Sequence, residues 1–293
     1  MKLQGIFVAA ATPFDYDGEI YKVKVQHNIE KWSRTSITGY LFAGLCGEGP
    51  LLRDDEKTSL WEIAAKAALP GKILLADVSA ESVHSAAALA RNASATGFHA
   101  VVSRSPSAHI PGARQPETRI LFFRSLADRS PLPLLIDNAS RTVPGLSVQE
   151  ILLLAAHPNI AGVIDTGIGH PDIVCIRQEA GREFGILCGS ASDLWLGLQN
   201  GANGAVLALA SAAPYACITL WEAFRMRESD AGEDWQSRIA LPQEMVAERY
   251  GVPGLKHAME LNGYYGGPPR LPYCPVDAAA RVEIEAAFRD LRG

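Results

Sequence analysis

Four acidic side chains directly follow short apolar segments, at the points where strands of a parallel sheet would end. They are Glu48, Asp77, Asp137 and Asp165. Because the carboxyl ends of parallel strands meet at one end of a barrel, these carboxylates are predicted to face a common site. Carboxylates gathered without lysine partners suit a hard divalent cation, because such cations prefer oxygen ligands. The alternative is structural, with Glu48 and Asp165 capping the next helix or accepting hydrogen bonds from loop amides.

Arg141 and Thr142 follow the same apolar segment as Asp137, and the resemblance of this segment to a family of barrel enzymes implies that they hold a substrate carboxylate. A guanidinium group donates two parallel hydrogen bonds to a carboxylate, so Arg141 is predicted to bind a small organic acid, with Arg104 as a second positive group. The alternative is that Arg141 pairs with one of the acids. A thiolate near acids is disfavoured, which favours packing over nucleophilic chemistry for Cys46. The predicted substrate-binding set is Arg141, Thr142, Glu48, Cys46, Asp137, Asp165 and Ser190.

The elements that must position these residues alternate between apolar strands and amphipathic helices. In the central unit, Leu134–Ile136 and Ile160–Ile164 are apolar runs, and Ser147–Ala156 is apolar at helical spacing. Such strand–helix pairs recur about eight times at intervals of roughly 25–35 residues. This predicts a (β/α)8 TIM barrel over residues 1–212, followed by a helical extension over 213–293 that packs on the barrel as one structural unit. An open doubly wound sheet would need a glycine-rich phosphate loop after its first strand, which this sequence lacks.

Composition excludes several classes of protein. The chain has 293 residues, 48% of them hydrophobic, which is enough for a large core. A net charge of −5 argues against nucleic acid as a partner. No apolar run reaches the roughly 18 residues of a membrane span, and the N-terminus lacks a signal-peptide pattern, so a cytoplasmic protein is expected. Five cysteines without a CxxC pair favour reduced thiols over a disulfide framework.

The central unit also resembles a known family of barrel enzymes. The segment Ile136-Asp137-Asn138-Ala139-Ser140-Arg141-Thr142 is similar to the Y-N-x-P-x-R-T pattern of the dihydrodipicolinate synthase / N-acetylneuraminate lyase family. The segment Gly162-Val163-Ile164-Asp165 is similar to that family's G-[IV]-K-[DE]. The resemblance extends from Thr12-Pro13-Phe14 to a tail containing Gly254-Leu255-Lys256-His257-Ala258 and Arg270-Leu271-Pro272. It implies a class I pyruvate aldolase-like barrel of the small keto-acid lyases.

Laid over these patterns, the chain lacks the reacting groups that the resemblance implies. The family's Schiff-base lysine falls on Ile164 and its tyrosine on Ile136. Its strand-two loop G-T-T-G-E becomes Gly44-Leu45-Cys46-Gly47-Glu48, and the P-Y-Y of strand four becomes Pro106-Ser107-Ala108. The other lysines are predicted to lie on outer helices, at strand starts or in the extension. The sequence therefore predicts that no Schiff base with pyruvate forms.

Three functions remain open at this point. The chain is a diverged lyase or hydro-lyase that uses carboxylates or a metal, with Glu48, Asp77, Asp137 and Asp165 as candidate ligands. Alternatively, it is a non-catalytic barrel that binds a small organic acid as a sensor or partner subunit, or an inert homologue kept for assembly. No cofactor, membrane or nucleic acid is expected as a partner. The resemblance and the apolar extension predict a homodimer or homotetramer.

Overall fold

A closed barrel of parallel strands forms the centre of the molecule. The computed structural model describes residues 2–106, 112, 115–138, 145–166 and 170–291. Within these ranges eight strands pair in sequence order, and β8 closes the ring on β1. They are β1 (Gly5–Ala9), β2 (Gly39–Phe42), β3 (Ile73–Asp77), β4 (Ala100–Ser103), β5 (Leu134–Asn138), β6 (Ile160–Asp165), β7 (Gly185–Cys188) and β8 (Gly204–Leu207). The predicted TIM barrel is confirmed.

Helices surround the barrel and continue into the C-terminal extension. Those before the end of β8 are α1 (Lys22–Ser33), α2 (Asp54–Ala67), α3 (Val83–Ala95), α4 (Pro116–Arg129), α5 (Val148–Ala155), α6 (His170–Ala180) and α7 (Leu194–Gln199). After β8 come α8 (Leu209–Ala212), α9 (Pro214–Met226), α10 (Ser229–Gln243), α11 (Gly251–Leu261) and α12 (Ala278–Ala287). No helix in the described ranges is long and apolar enough to cross a membrane.

Local signals in the sequence explain where several helices begin. The Ser147 hydroxyl accepts a hydrogen bond from the Glu150 amide, and the Glu150 carboxylate accepts one from the Ser147 amide, so α5 begins with a capping box. Ser82 and Asp277 cap α3 and α12 in the same way through their side-chain oxygens. Losing one such cap costs about 1 kcal/mol.

Apolar side chains alternate between two layers along each strand. On β5, Leu135 packs inside the barrel, while Leu134 and Ile136 pack against the helices outside. The interior cluster comprises Leu3, Phe7, Ala9, Leu41, Leu75, Ala100, Val102, Leu135, Ile164, Leu187 and Val206. Each large apolar side chain buried there contributes about 1.5–3 kcal/mol of transfer free energy. The interior is therefore a filled core, and chemistry is confined to the end of the barrel above it.

The C-terminal extension is in close contact with the barrel. Helix α9, which the sequence prediction counts with the extension, packs against β1 and α7. Helix α11 packs on α8, at the end of β8. The Asn28 amide group donates to the Tyr265 carbonyl and accepts from the Tyr265 amide, which ties α1 to the segment after α11. The extension therefore lies against the first helix of the barrel as well as the last.

Candidate functional site at the carboxyl end of the barrel

Asp77, Arg104 and Asp137 form a cluster of charged side chains at the carboxyl ends of β3, β4 and β5. Arg104 Nη1 lies 2.8 Å from Asp77 Oδ2 and 3.7 Å from Asp137 Oδ2. Since Leu75 and Leu135 face the barrel interior, Asp77 and Asp137, two residues further along each strand, face the same way. The structure thus brings together two of the four predicted acids, with one guanidinium between them.

Burial of this cluster raises the pKa of one of its carboxyl groups. The Asp77 and Asp137 side chains are 2% and 12% exposed, and Arg104 is 18% exposed. Loss of solvation raises the pKa of Asp137 to about 7. The Arg104 charge opposes that rise, and the Asp77 and Asp165 charges add to it. Asp137 therefore changes between carboxylic acid and carboxylate near neutral pH, which is the property a general acid–base group needs.

Further hydrogen bonds fix the orientation of the cluster. The Asp77 carboxylate accepts a hydrogen bond from the Ser79 amide, and the Ser79 hydroxyl accepts one from the Arg104 amide. The carboxylate that accepts from Arg104 Nη1 is thus held on both oxygens. Within the residues that the structure describes, the contact given for the Asp137 carboxylate is the longer one to Arg104. Asp77 is the fixed partner of Arg104, and Asp137 is held less tightly.

The two isoleucines at the resembled reacting positions lie on different sides of the strands. Ile164 faces the barrel interior and pairs in register with Asp137. Ile136 is fully buried in the cluster between strands and helices, so it does not face the barrel interior. Alternation along β5 explains the difference, because Asp137, one residue further, points inward. The inward neighbour of Ile164 on β5 is therefore a carboxyl group.

Glu48 is engaged by the C-terminal extension. Its Oε1 lies 2.6 Å from Lys256 Nζ, and its Oε2 accepts a hydrogen bond of 2.8 Å from the Arg270 amide. The backbone of Glu48 is left-handed, with φ of 56°, and both side chains of the ion pair are almost fully buried. The assumption that the acids gather without a lysine partner is therefore wrong for Glu48. The contacts seen for this residue are structural, although the partners are a lysine and a distant amide, and its role in substrate binding stays a prediction.

Lys256 is surrounded by contacts besides the one with Glu48. Its ammonium group also donates to the Pro268 carbonyl at 2.9 Å and lies 4.5 Å from the centre of the Phe14 ring. Burial lowers the pKa of Lys256 to about 8, against the opposing effect of the Glu48 charge. Arg270 stacks on Phe14 as well and donates to both oxygens of Glu56. The ion pairs join the extension to the loop after β2 and to α2, and the ring contacts with Phe14 join it to the segment after β1.

The four acids do not form the predicted cation site. Asp165 accepts a hydrogen bond of 2.9 Å from the Asn138 amide group, while Asp77 and Asp137 share Arg104 and Glu48 holds Lys256. In the described part of the chain, no group of three or more His, Cys, Asp or Glu side chains is placed to hold a metal ion. A cation there would have to displace an arginine or a lysine, so this donor set does not fit a metal.

The remaining predicted residues have varied positions. Cys46 is half-buried and packs against both apolar layers. Ser190, after β7, accepts hydrogen bonds from the Ser192 amide and from Gln243 of the extension. Arg141 and Thr142 lie outside the described residues, as do Ser107 and Ala108. The structure therefore bears on the acid cluster and leaves the role of Arg141 a prediction.

Sequence reasoning missed the partner of Glu48, although a signal was present. Lys256 interrupts an apolar helical pattern that includes Leu255, Ala258 and Met259, all buried. A lysine in such a stripe requires a buried acid, because an unpaired ammonium group is costly to desolvate. Arg104 was identified as a positive group near the site, but its pairing with Asp77 and Asp137 was not. That pairing depends on three neighbouring strands and has no signature in local spacing.

Comparison with known proteins gives the same fold along the whole chain. The model of the dihydrodipicolinate synthetase family matches residues 2–291. A 4-hydroxy-tetrahydrodipicolinate synthase of Exiguobacterium is 27% identical, covering 97% of this chain and 96% of the relative, and an N-acetylneuraminate lyase of Rhizobium meliloti is 29% identical, covering 98% and 95%.

Solved structures are similar at lower identity. A dihydrodipicolinate synthase of Bacillus anthracis superposes with a TM-score of 0.94 at 21% identity and complete coverage of both chains. A prophage protein of Escherichia coli, solved in complex with pyruvate, gives 0.92 at 21% identity and 99% coverage of each. Fold, barrel order and the match over nearly every residue lead to one conclusion: this chain belongs to the dihydrodipicolinate synthetase family.

Proposed function

We propose that this protein is a lyase of the small organic-acid class that moves protons through Asp137 and forms no Schiff base. The observation that carries the proposal is the inward pairing of Asp137 with Ile164 inside the barrel, next to Arg104. We further propose that Asp137, and not Ile136, takes the position of the tyrosine in the resembled pattern. An isoleucine supplies no amine, so a carboxyl group must carry the chemistry.

Lys256 is the lysine that deserves comparison with a Schiff-base amine, since burial lowers its pKa to about 8. Its geometry argues against that role. The ammonium group is 2% exposed and contacts Glu48, Pro268 and Phe14, so an incoming carbonyl would have to replace a buried ion pair. We therefore assign it to structure.

The proposed reaction is the reversible addition of water next to a carboxylate. The protonated Asp137 gives its proton to the carbon beside the carboxylate of an unsaturated acid, and the oxygen of a water molecule bonds to the next carbon. The Asp137 carboxylate takes the proton that this water loses, and elimination of water follows the same steps in reverse. A carboxyl with a pKa near 7 suits both halves of this transfer, and Arg104 stabilises the negative charge that develops.

Borohydride reduction in the presence of pyruvate, followed by intact mass, tests the absence of an imine. We expect no adduct on the wild type. Ile164→Lys is the matched positive control, because it restores an amine at the resembled position beside Asp137. A specific adduct on the wild-type chain would contradict the proposal, and peptide mapping would show whether Lys256 carries it.

Exchange in D2O tests the proton transfer itself. Small hydroxy and keto acids are incubated with the protein, and NMR follows deuterium at the carbon beside the carboxylate. We expect exchange or turnover with the wild type and a loss of at least 100-fold in Asp137→Asn, the usual size of a general acid–base contribution. Ligand binding without exchange would favour the non-catalytic role of sensor or partner subunit instead.

We also propose that the protein assembles as a homodimer or homotetramer. Exposed apolar side chains on the neighbouring helices α7, α9 and α10, namely Leu196, Met226 and Leu241, support this. Sedimentation at micromolar concentration tests it, and a species of monomer mass alone would be the contrary result.

A further inference from the structure

The contacts of the Arg104 guanidinium within the described residues are all made by one of its nitrogen atoms. Nη1 makes both contacts with Asp77 and Asp137. Within the described residues, Nε and Nη2 have no hydrogen-bond partner, although the side chain is only 18% exposed. A guanidinium offers five N–H donors in a fixed plane, and its Nε–Nη2 edge matches the two oxygens of a carboxylate.

We propose that Arg104 anchors the carboxylate of a small monocarboxylic acid with an apolar body, and that Asp137 takes up a proton as this acid binds. The inference rests on the proposed function in one respect, that the mouth of the barrel is the ligand site. It assigns the anchor to β4, whereas the resembled pattern assigns it to Arg141.

Asp77 sets up this anchor. It is almost fully buried and holds Nη1 at 2.8 Å, so the guanidinium is oriented before a ligand arrives. The Ser79 amide holds the other Asp77 oxygen, which leaves Asp77 little freedom to follow an incoming anion. The Arg104 side chain therefore loses little conformational entropy when it binds a carboxylate, which is the advantage of a preorganised site.

The surroundings of Arg104 favour an apolar ligand body. Below the cluster, Val102 and Ile164 pair in register with Asp77 and Asp137 and belong to the interior core. Beside it runs the loop after β2, where a Cβ added to Gly44 would lie 3.7 Å from Asp77 Oδ2. The next residue, Leu45, is 43% exposed. Because Leu45 is exposed and follows Gly44, which lies near Asp77, its side chain is available to contact an aliphatic ligand.

The number of negative charges around Arg104 is the reason for expecting proton uptake by Asp137. One guanidinium already faces two carboxylates, and a bound acid adds a third negative charge. Among the described residues, the neighbouring strands place two further groups on this side: Asp165 on β6 is a carboxylate that accepts from Asn138, and Cys188 on β7, in register with Asp165, is a half-buried thiol whose pKa burial raises to about 12. Asp137, the acid held less tightly, is the one that accepts a proton when the ligand binds.

Titration calorimetry with 4-methylpentanoate tests this directly. Repeating the titration in buffers of different ionisation enthalpy measures the protons taken up. We expect close to one proton per ligand at pH 8. Binding should be about fivefold weaker at pH 8 than at pH 7, because a group with a pKa of about 7 is already half protonated at pH 7 before the ligand binds. Asp137→Asn should bind with no proton uptake and no such pH dependence.

Variants separate Arg104 from Arg141. We expect Arg104→Gln to weaken binding by about 10-fold or more, the value of a charge-assisted contact, and Arg141→Gln to change it less than threefold. Because Arg104→Gln leaves Asp77 buried without its partner, the double variant Arg104→Gln/Asp77→Asn serves as a neutral cluster that retains the fold. 4-Methylpentan-1-ol, which lacks the carboxylate, should respond to none of these changes.

Three results would overturn the inference: no binding of the acid at millimolar concentration, binding that depends on Arg141 and not on Arg104, or binding without proton uptake at pH 8. The proposed lyase function fails in a different way, because the acid then binds through Arg104 and no exchange or turnover follows. The two outcomes are therefore distinguishable.

Discussion

Glu48 and Asp137 are two carboxylates at the same end of one barrel, and the fold treats them differently. Glu48 has a lysine of its own at 2.6 Å and a backbone amide on its second oxygen. Asp137 shares a guanidinium with Asp77 and contacts it at 3.7 Å. Both side chains are largely withdrawn from solvent, so burial alone does not separate them. The number and length of the contacts do: Glu48 is held on both oxygens, whereas Asp137 is held by one longer contact within the described residues.

The largest loss of stability is expected when Glu48 loses its lysine partner. Lys256→Met leaves a buried carboxylate without its cation, which costs about 3–5 kcal/mol of unfolding free energy. Urea denaturation measures it. The double variant Lys256→Met/Glu48→Gln removes the stranded charge and should recover most of the loss. A single variant within 1 kcal/mol of the wild type would show that the pair is not a buried ion pair.

The next effect concerns pH on the Asp137 side. The folded state holds the Asp137 proton up to a pKa of about 7, and an unfolded chain releases it near 4, so the folded state binds more protons between these values. Stability contributed by this group is therefore present below pH 4 and is lost as pH rises to 7, by on the order of 2–4 kcal/mol.

Asp137→Asn removes that loss, so the variant should be more stable than the wild type at pH 8 and similar at pH 4. Urea midpoints at the two pH values measure this. Asp77→Asn is the matched comparison: it frees Arg104 for Asp137 and removes a like charge, which should lower the pKa of Asp137 and reduce the slope. Equal slopes in wild type and Asp137→Asn would refute the assignment.

A smaller change is expected at Arg270. Arg270→Lys keeps the charge but loses the two-pronged contact with Glu56, whose oxygens lie 2.6 and 2.9 Å from the guanidinium. We expect a loss of about 1–2 kcal/mol in thermal or urea unfolding, the value of one or two hydrogen bonds to a charged group. No change at all would mean that the Glu48 region does not depend on the fork geometry.

The smallest change in stability is expected at an exposed ion pair, which serves as the control for the buried ones. Arg225 and Glu222 form an exposed ion pair on α9, with side chains 57% and 35% exposed. Arg225→Ala should change the unfolding free energy by less than about 0.5 kcal/mol, because water screens such pairs. A larger loss would show that charge removal alone, at any position, accounts for part of the effects above.

Most of the fold could be predicted because local patterns determine it. The predicted segments Leu134–Ile136, Ser147–Ala156 and Ile160–Ile164 lie within one or two residues of the observed bounds of β5, α5 and β6. The site could be predicted less well. The strand ends that carry Asp77 and Asp137 followed from periodicity. Whether the Ile136 side chain points into the barrel or towards the helices depends on the alternation of side chains along β5, and a match of sequence patterns does not show it. The pairings of Arg104 and Lys256 depend on residues 27 and 208 positions away.

The contact between Lys256 and Glu48 also sets an order in time. Phe14, Glu48 and Glu56 are made early, whereas Lys256 and Arg270, which bind them, are made near the end of synthesis. Until α11 has been made, the loop that carries Leu45 and Cys46 has no cation to hold it. A nascent chain can therefore complete the inner strands while its mouth is still open. We expect products truncated before residue 256 to lack a ligand site, so ligand binding reports that synthesis has passed that residue.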